Sequence, residues 1–189
     1  MNSDFVTVTL PASHSYLQFI TEAFIQLIKS KVMLRDRESG FKYISDSKIL
    51  IHELYTNAIN HSGSDSVTFN FSFEDSYIDI QMITHGPGFI VKPVDLKNKA
   101  NKTQYLPPYP KKIHGTEFMV HSDMDYEVAC RVKDEKSLEF VKRKRAPEKD
   151  YEIPEHFGLL IITNLCSDVS FVSNQDGRNI FSLKRTTLT

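Results

Sequence analysis

The segment Ile51-His52-Glu53-Leu54-Tyr55-Thr56-Asn57-Ala58-Ile59-Asn60-His61 constrains this chain more tightly than any other, because it lays two patterns side by side on one helical period. Leu50, Leu54 and Ala58 make an apolar row, and Glu53, Asn57 and His61 make a polar row beside it, since side chains four apart stack on one helix face. Polar groups at the border of a core either find partners or do chemistry. A carboxylate can take a proton from water or a hydroxyl, a carboxamide oxygen can ligate Mg²⁺, and an imidazole can meet a phosphate.

A chain of 189 residues is long enough for one well-buried domain and short for two. Its formal net charge of -1 gives no global reason to bind nucleic acid or an anionic membrane. Met1-Asn2-Ser3-Asp4 lacks a basic region followed by an apolar one, and the longest apolar runs, such as 157–162, are too short to span a bilayer. A cytoplasmic protein without membrane contact is expected. Cys130 and Cys166 have no CxxC spacing and read as ordinary reduced thiols.

Phe5-Val6-Thr7-Val8-Thr9-Leu10 alternates as a half-buried strand does, and Pro11 ends it. Ser13 or Ser15 can cap a helix in which Leu17, Ile20, Phe24, Leu27 and Ile28 keep helical spacing as far as Ser30. The charged stretch from Lys31 to Tyr43, with Gly40 inside it, reads as a connection. Ser45 or Asp46 then caps the helix that carries the polar row and stops near Ser62-Gly63. Two β-rich runs, 67–73 and 77–84, are joined by a tight turn at Glu74-Asp75-Ser76. The second runs into His85-Gly86-Pro87-Gly88-Phe89, where two glycines around a proline mean a sharp turn or a close approach.

From Val91 to Pro154 the proline- and charge-rich sequence reads as a long excursion from the core, although 116–121, 126–132 and 138–141 have strand-like content. Gly158 to Cys166 is apolar enough for a buried helix, while its β-branched residues leave a strand open. Residues 169–173 and 179–184 close the chain as a hairpin around Asn174-Gln175-Asp176-Gly177. This order of elements predicts one α+β domain over 1–189, a two-layer sandwich with a mixed sheet covered on one face by helices, carrying an insertion at about 91–154.

With the elements in this order, Glu53-x-x-x-Asn57-Ala58-x-x-His61 resembles the N box of the GHKL ATPases. His85-Gly86-Pro87-Gly88-Phe89 and Phe157-Gly158-Leu159-Leu160-Ile161-Ile162 resemble the first and second glycine boxes of that superfamily. Within it the chain looks closest to the small stand-alone anti-sigma-factor serine/threonine kinases of bacteria. The resemblance covers nearly the whole chain and implies the Bergerat, histidine-kinase-like ATPase fold with a long insertion in the lid region. It implies ATP and Mg²⁺ as cofactors, Glu53 as the base that activates a protein serine or water, and Asn57 as the Mg²⁺ ligand beside the ATP phosphates. His61 would lie near the nucleotide; Thr84, Gly86 and Gly88 would meet adenine and ribose; Gly158 and Leu159 would offer amides to phosphates.

Three positions depart from the family pattern. Thr84 stands where the family has an Asp, His156 where the second box has its leading glycine, and Arg178-Asn179 where a terminal strand has Gly-Thr. A hydrogen bond to a neutral group is worth about 1 kcal/mol against roughly 1.5 to 3 for a charge-assisted one.

The resemblance implies an ATP-binding regulator that transfers the γ-phosphoryl to a serine of a protein partner, a sigma factor or an anti-anti-sigma-type regulator, and leaves a homodimer open. The competing expectation is a nucleotide-free binding module of the same fold acting through protein–protein contact. Lys142-Arg143-Lys144-Arg145, flanked by Glu135, Glu139, Glu148 and Asp150, reads as a solvated face or strand edge rather than a nucleic-acid site. The histidines show no metal-ligand spacing, and Tyr105 to Pro110 reads as a rigid surface loop.

Overall fold

The alternation of Val6, Val8 and Leu10 with Thr7 and Thr9 becomes strand β1, Asp4–Pro11, in the computed structural model of the chain. The structure describes residues 4–32, 37–92, 104–145 and 156–187. Ser13 accepts from the Ser15 amide and starts a 3-10 turn, His14–Tyr16, that leads into helix α1, Leu17–Lys31. Helix α2 spans Arg37–His61. It begins well before the expected cap at Ser45 or Asp46, and Gly40 lies inside it rather than in a connection. The reason is periodicity. Gly40, Tyr43, Ser47, Leu50, Leu54 and Ala58 are all buried along one helical stripe, so the core-facing side already exists in the charged stretch.

Strands β2 (Ser66–Phe73) and β3 (Tyr77–His85) form the expected hairpin. Three more, β4 (Glu117–Ser122), β5 (Tyr126–Val132) and β6 (Ser137–Lys144), lie in the presumed excursion. Helix α3, Phe157–Leu165, takes the buried-helix option, and β7 (Ser167–Ser173) with β8 (Arg178–Thr186) closes the chain. Among the described residues no helix is long and apolar enough to cross a membrane.

All eight strands share one sheet in the order β1-β2-β3-β8-β7-β6-β5-β4, and every neighbouring pair is antiparallel. The expected mixed sheet is therefore corrected to a wholly antiparallel one. Two helices separate β1 from β2, so the chain travels out and back and returns opposite Pro11 at Ser66. β2/β3, β4/β5, β5/β6 and β7/β8 follow one another directly, which gives antiparallel pairs.

The helices cover one face only. On it, Phe69 and Phe71 of β2 meet α1 and α2 through the Phe24–Phe71 stack at 4.8 Å and the Tyr55–Phe69 contact at 6.2 Å. Both β2 rings are fully buried, worth about 1.5 to 3 kcal/mol each. The other face is polar: Thr7 bonds Asn70 at 3.0 Å and Thr9 bonds Thr68 at 2.9 Å.

Strands β4 to β6 do not leave the core. Val128, Cys130, Val132, Leu138 and Phe140 belong to the same buried cluster. As expected for a solvated strand edge, Lys142 to Lys144 pair with β5 but lie beyond the last β6–β7 pair, Phe140 with Val169, and Arg143 and Lys144 are exposed. Arg143 pairs with Glu117 at 3.0 Å and Glu127 at 3.2 Å, Arg145 donates to the Asp123 carbonyl at 2.6 Å, and Lys142 covers the Tyr126 ring and reaches Asn164. The Tyr105–Pro110 stretch is a surface loop, as expected, with Leu106, Pro108 and Pro110 exposed, and it is anchored at two points. Tyr105 pairs with Val91 through two 2.9 Å backbone bonds, and the buried Tyr109 donates its hydroxyl to the Phe89 carbonyl at 2.8 Å. Residues 93–103 and 146–155 of the expected insertion, with Pro93, Pro147 and Pro154, lie outside the described residues.

Candidate functional site

The helix layer does not close over the middle of the sheet, and a cavity of about 570 Å³ remains. Its floor is the inner face of the central strands, with Met82 and Thr84 from β3, Asn179 and Phe181 from β8, and Phe171 from β7. One wall is α2, which presents Leu54, Asn57, Ala58 and His61. The opposite wall is the first half of α3, Phe157 to Leu159 and Ile162. The loop after β3 completes it with Gly88, Phe89, Ile90 and Lys92.

Of the residues singled out from sequence, Asn57, His61, Thr84, Gly88, Gly158 and Leu159 line this cavity. Glu53 and Gly86 do not. A Cβ built on Gly86 would lie 2.0 Å from the carbonyl oxygen of Ser62, so this glycine lets β3 approach the end of α2 instead of a ligand. Gly88 adopts φ +86°, and a Cβ there would lie 2.5 Å from Cγ of Pro107, so both conformation and contact call for glycine. At Gly158 a Cβ would lie 2.7 Å from Glu53 Oε2 and 3.2 Å from Asn57 Nδ2. The start of α3 therefore rests directly on the first two members of the polar row.

His156 caps α3 in the left-handed region at φ 60°, ψ 32°, without a side-chain bond to the first turn. A non-glycine residue tolerates this at a cost of about 1 kcal/mol. Its ring lies 6.0 Å from that of Phe89 across the mouth.

The polar groups at the floor are organised by strand register. Thr84 pairs directly with Asn179, and both are buried. Asn179 Nδ2 donates to the Gly86 carbonyl at 3.1 Å, while its Oδ1 is enclosed without a hydrogen-bond partner. Among the described residues no Asp or Glu lines the cavity, whereas Lys92, His61 and His156 do. Such a site suits a flat, largely apolar ligand with an N–H to give at one end and negative charge at the other. Among the described residues no group of three His, Cys, Asp or Glu could hold a metal ion. Asn57 supplies one neutral oxygen, so Mg²⁺ there would need most of its ligands from a phosphate chain and water.

Met82, Lys92, Phe171 and Phe181 were not singled out from sequence as site residues, and Asn179 and Phe89 entered only as parts of the family's motif positions. The signal for Asn179 was present: the alternation through Phe181 and Leu183 puts residue 179, not Arg178, on the covered face. No family model and no curated protein matches the chain.

Proposed function

We propose that the chain is a GHKL-type, Bergerat-fold regulatory protein of the anti-sigma-factor-kinase kind, binding Mg-ATP in this cavity and passing the γ-phosphoryl group to a serine of a partner regulator in the cytoplasm. Convergence supports the reading: Asn57 and His61, Thr84 and Gly88, and Gly158 and Leu159 come from three distant segments and line one cavity of about 570 Å³, within the range of small-molecule sites. The buried Asn179 oxygen without a partner and the absence of any carboxylate from the lining among the described residues fit a base inside and phosphates at the mouth.

Bound Mg-ATP supplies the transferable phosphoryl group. Asn57 offers its amide oxygen to the cation without adding negative charge near phosphate. The amides at the start of α3, at Gly158 and Leu159, face negative charge favourably because a helix N-terminus is the positive end of its dipole. Glu53 holds the place of the base, accepting the serine hydroxyl proton on its carboxylate. Lys92 adds positive charge at the rim. The partner serine would belong to a sigma factor or an anti-anti-sigma-type regulator.

Equilibrium titration of the full chain with ATP and Mg²⁺ tests this. Asn57→Ala should weaken binding by about tenfold or more, as loss of a charge-assisted contact does, and Glu53→Ala should leave it nearly unchanged while abolishing transfer. Absence of binding at millimolar ATP refutes the proposal.

One observation favours a second reading, a nucleotide-free binding module of the same fold that acts by protein–protein contact. Glu53 lies against Gly158 rather than lining the cavity, which makes it a support for α3. A stoichiometric partner complex that forms without nucleotide and equally well with Glu53→Ala would establish that reading; Glu53-dependent phosphoryl transfer would eliminate it.

A further inference from the structure

The buried polar groups on the strand floor of the cavity, Thr84 and Asn179, are neutral. Thr84 on β3 and Asn179 on β8 face each other in register, 6% and 3% exposed. Asn179 Nδ2 is committed to the Gly86 carbonyl at 3.1 Å, which fixes the amide so that Oδ1 is left as an enclosed acceptor with no partner. An unpaired buried acceptor is costly, so a ligand that brings an N–H to it is favoured. The Thr84 hydroxyl rotates freely between donating and accepting. Among the described residues no carboxylate lines the cavity, and the only lysine of its lining is Lys92, in the loop after β3.

We infer that the site takes purine nucleotides without discriminating a 6-amino from a 6-oxo group, so that ATP and GTP bind alike. The inference rests on the nucleotide reading given above. Adenine presents an amino N–H for the Asn179 oxygen and ring nitrogens for the Thr84 hydroxyl. Guanine presents N1–H and N2–H for the same oxygen and its O6 for the same hydroxyl. A carboxylate at position 84 would reward the amino group and repel O6. A neutral, rotatable hydroxyl does neither.

Strong selection between ligands requires that the wrong one leave a buried polar group unpaired, and neither purine does so here. Ring size is another matter. Leu54, Ala58, Met82, Ile162 and Phe181 offer apolar surface to a bicyclic base, and a pyrimidine leaves part of that surface uncovered.

The test is isothermal titration of the full chain with Mg-ATP, Mg-GTP and Mg-CTP. Wild type should bind ATP and GTP within about fivefold of each other and CTP at least about tenfold more weakly, given the area a second ring covers. Thr84→Asp should raise the ATP-to-GTP affinity ratio by about tenfold or more, as replacing a neutral acceptor by a charged one does. Thr84→Val, nearly the same shape, should weaken both purine nucleotides equally, by roughly fivefold.

A wild-type preference for either purine beyond about thirtyfold, more than a neutral pair supplies, overturns the inference and leaves the nucleotide reading standing. Failure of all three nucleotides to bind at millimolar concentration overturns both. If ATP and GTP bind alike but the ratio does not move in Thr84→Asp, position 84 does not read the base and the inference falls. Should Thr84→Asp fail to fold, the wild-type comparison and Thr84→Val decide the question.

Discussion

Replacing Gly86 with alanine tests whether the end of β3 is pinned to the end of α2. The new Cβ would lie 2.0 Å from the carbonyl oxygen of Ser62 and 3.2 Å from its carbonyl carbon. Both are backbone atoms and cannot rotate aside, so the two segments must part by about 1 Å or more, a shift that a packed interior resists. That movement falls on the Gly86 amide bond to the Gly177 carbonyl at 3.0 Å and on the Asn179 bond to the Gly86 carbonyl at 3.1 Å. Each hydrogen bond contributes about 1 kcal/mol, and backbone strain adds about 1 to 3 kcal/mol. The total is a loss of about 3 to 5 kcal/mol, equivalent to a fall in Tm of about 6 to 20 °C in a domain of this size. Circular dichroism melts and urea titrations measure it, with the m-value unchanged. Gly88→Ala meets Pro107 through a side-chain carbon, and the cost there should be smaller. A Gly86→Ala protein within about 1 kcal/mol of wild type, a margin that ordinary surface changes rarely exceed, would refute the pinning argument.

Arg185 is 3% exposed and stacks 4.2 Å from the Tyr43 ring, yet only Nη2 has a bond, to the Tyr43 carbonyl at 3.1 Å; Nε and Nη1 have none. Arg185→Met should be as stable as wild type or more so by about 1 to 3 kcal/mol, because it removes an uncompensated buried charge; a urea midpoint below wild type would contradict this. The hydrogen bond from Arg131, with Arg143 beside it, holds the Glu117 carboxyl below the usual carboxylate range. A pKa lower in the folded than in the unfolded state stabilises above the unfolded value and is lost as pH falls through the folded one. Glu117→Gln should therefore cost about 0.5 to 1 kcal/mol at pH near 7 and progressively less as pH falls through the lowered folded-state pKa, and equal Tm values at neutral pH would disprove it. Burial pushes the Cys130 and Cys166 thiols up to about 12, so a thiol reagent at mildly alkaline pH should leave the native protein unlabelled and modify both cysteines in denaturant. Rapid labelling of the native chain would count against that.

The strands were legible because this sheet buries one face, and a period-two pattern then survives in the sequence. Phe69 and Phe71 alternate with Thr68 and Asn70, and Phe181 and Leu183 with Ile180 and Ser182. What escaped was long-range. The content of β4 to β6 was visible, but their membership of the main sheet depends on pairs such as Leu138 with Phe171 and Phe140 with Val169, and no local pattern specifies partners so far apart. The start of α2 escaped for a different reason. Gly40 and the charges around it suggest a connection by local preference, whereas burial of Gly40, Tyr43 and Ser47 on the core side keeps the chain helical; tertiary packing outweighed propensity.

The polar row of α2 was legible as chemistry but not as geometry. Steps of four residues on a helix with 3.6 per turn advance the direction by about 40° each, so from Glu53 to His61 the row turns by about 80°. Three side chains that look equivalent in sequence cannot all face one opening. Asn57, at the middle, lines the cavity; Glu53 turns toward Gly158 of α3; His61 reaches the exposed rim. The same rotation makes Asn57 the member of the row with the least freedom to do anything else. It also ties the role of Glu53 to the first turn of α3, where His156 is held left-handed immediately before Phe157. There Glu53 is packed against a glycine that has no side chain to displace it. The polar row alone therefore does not specify where each of its members points.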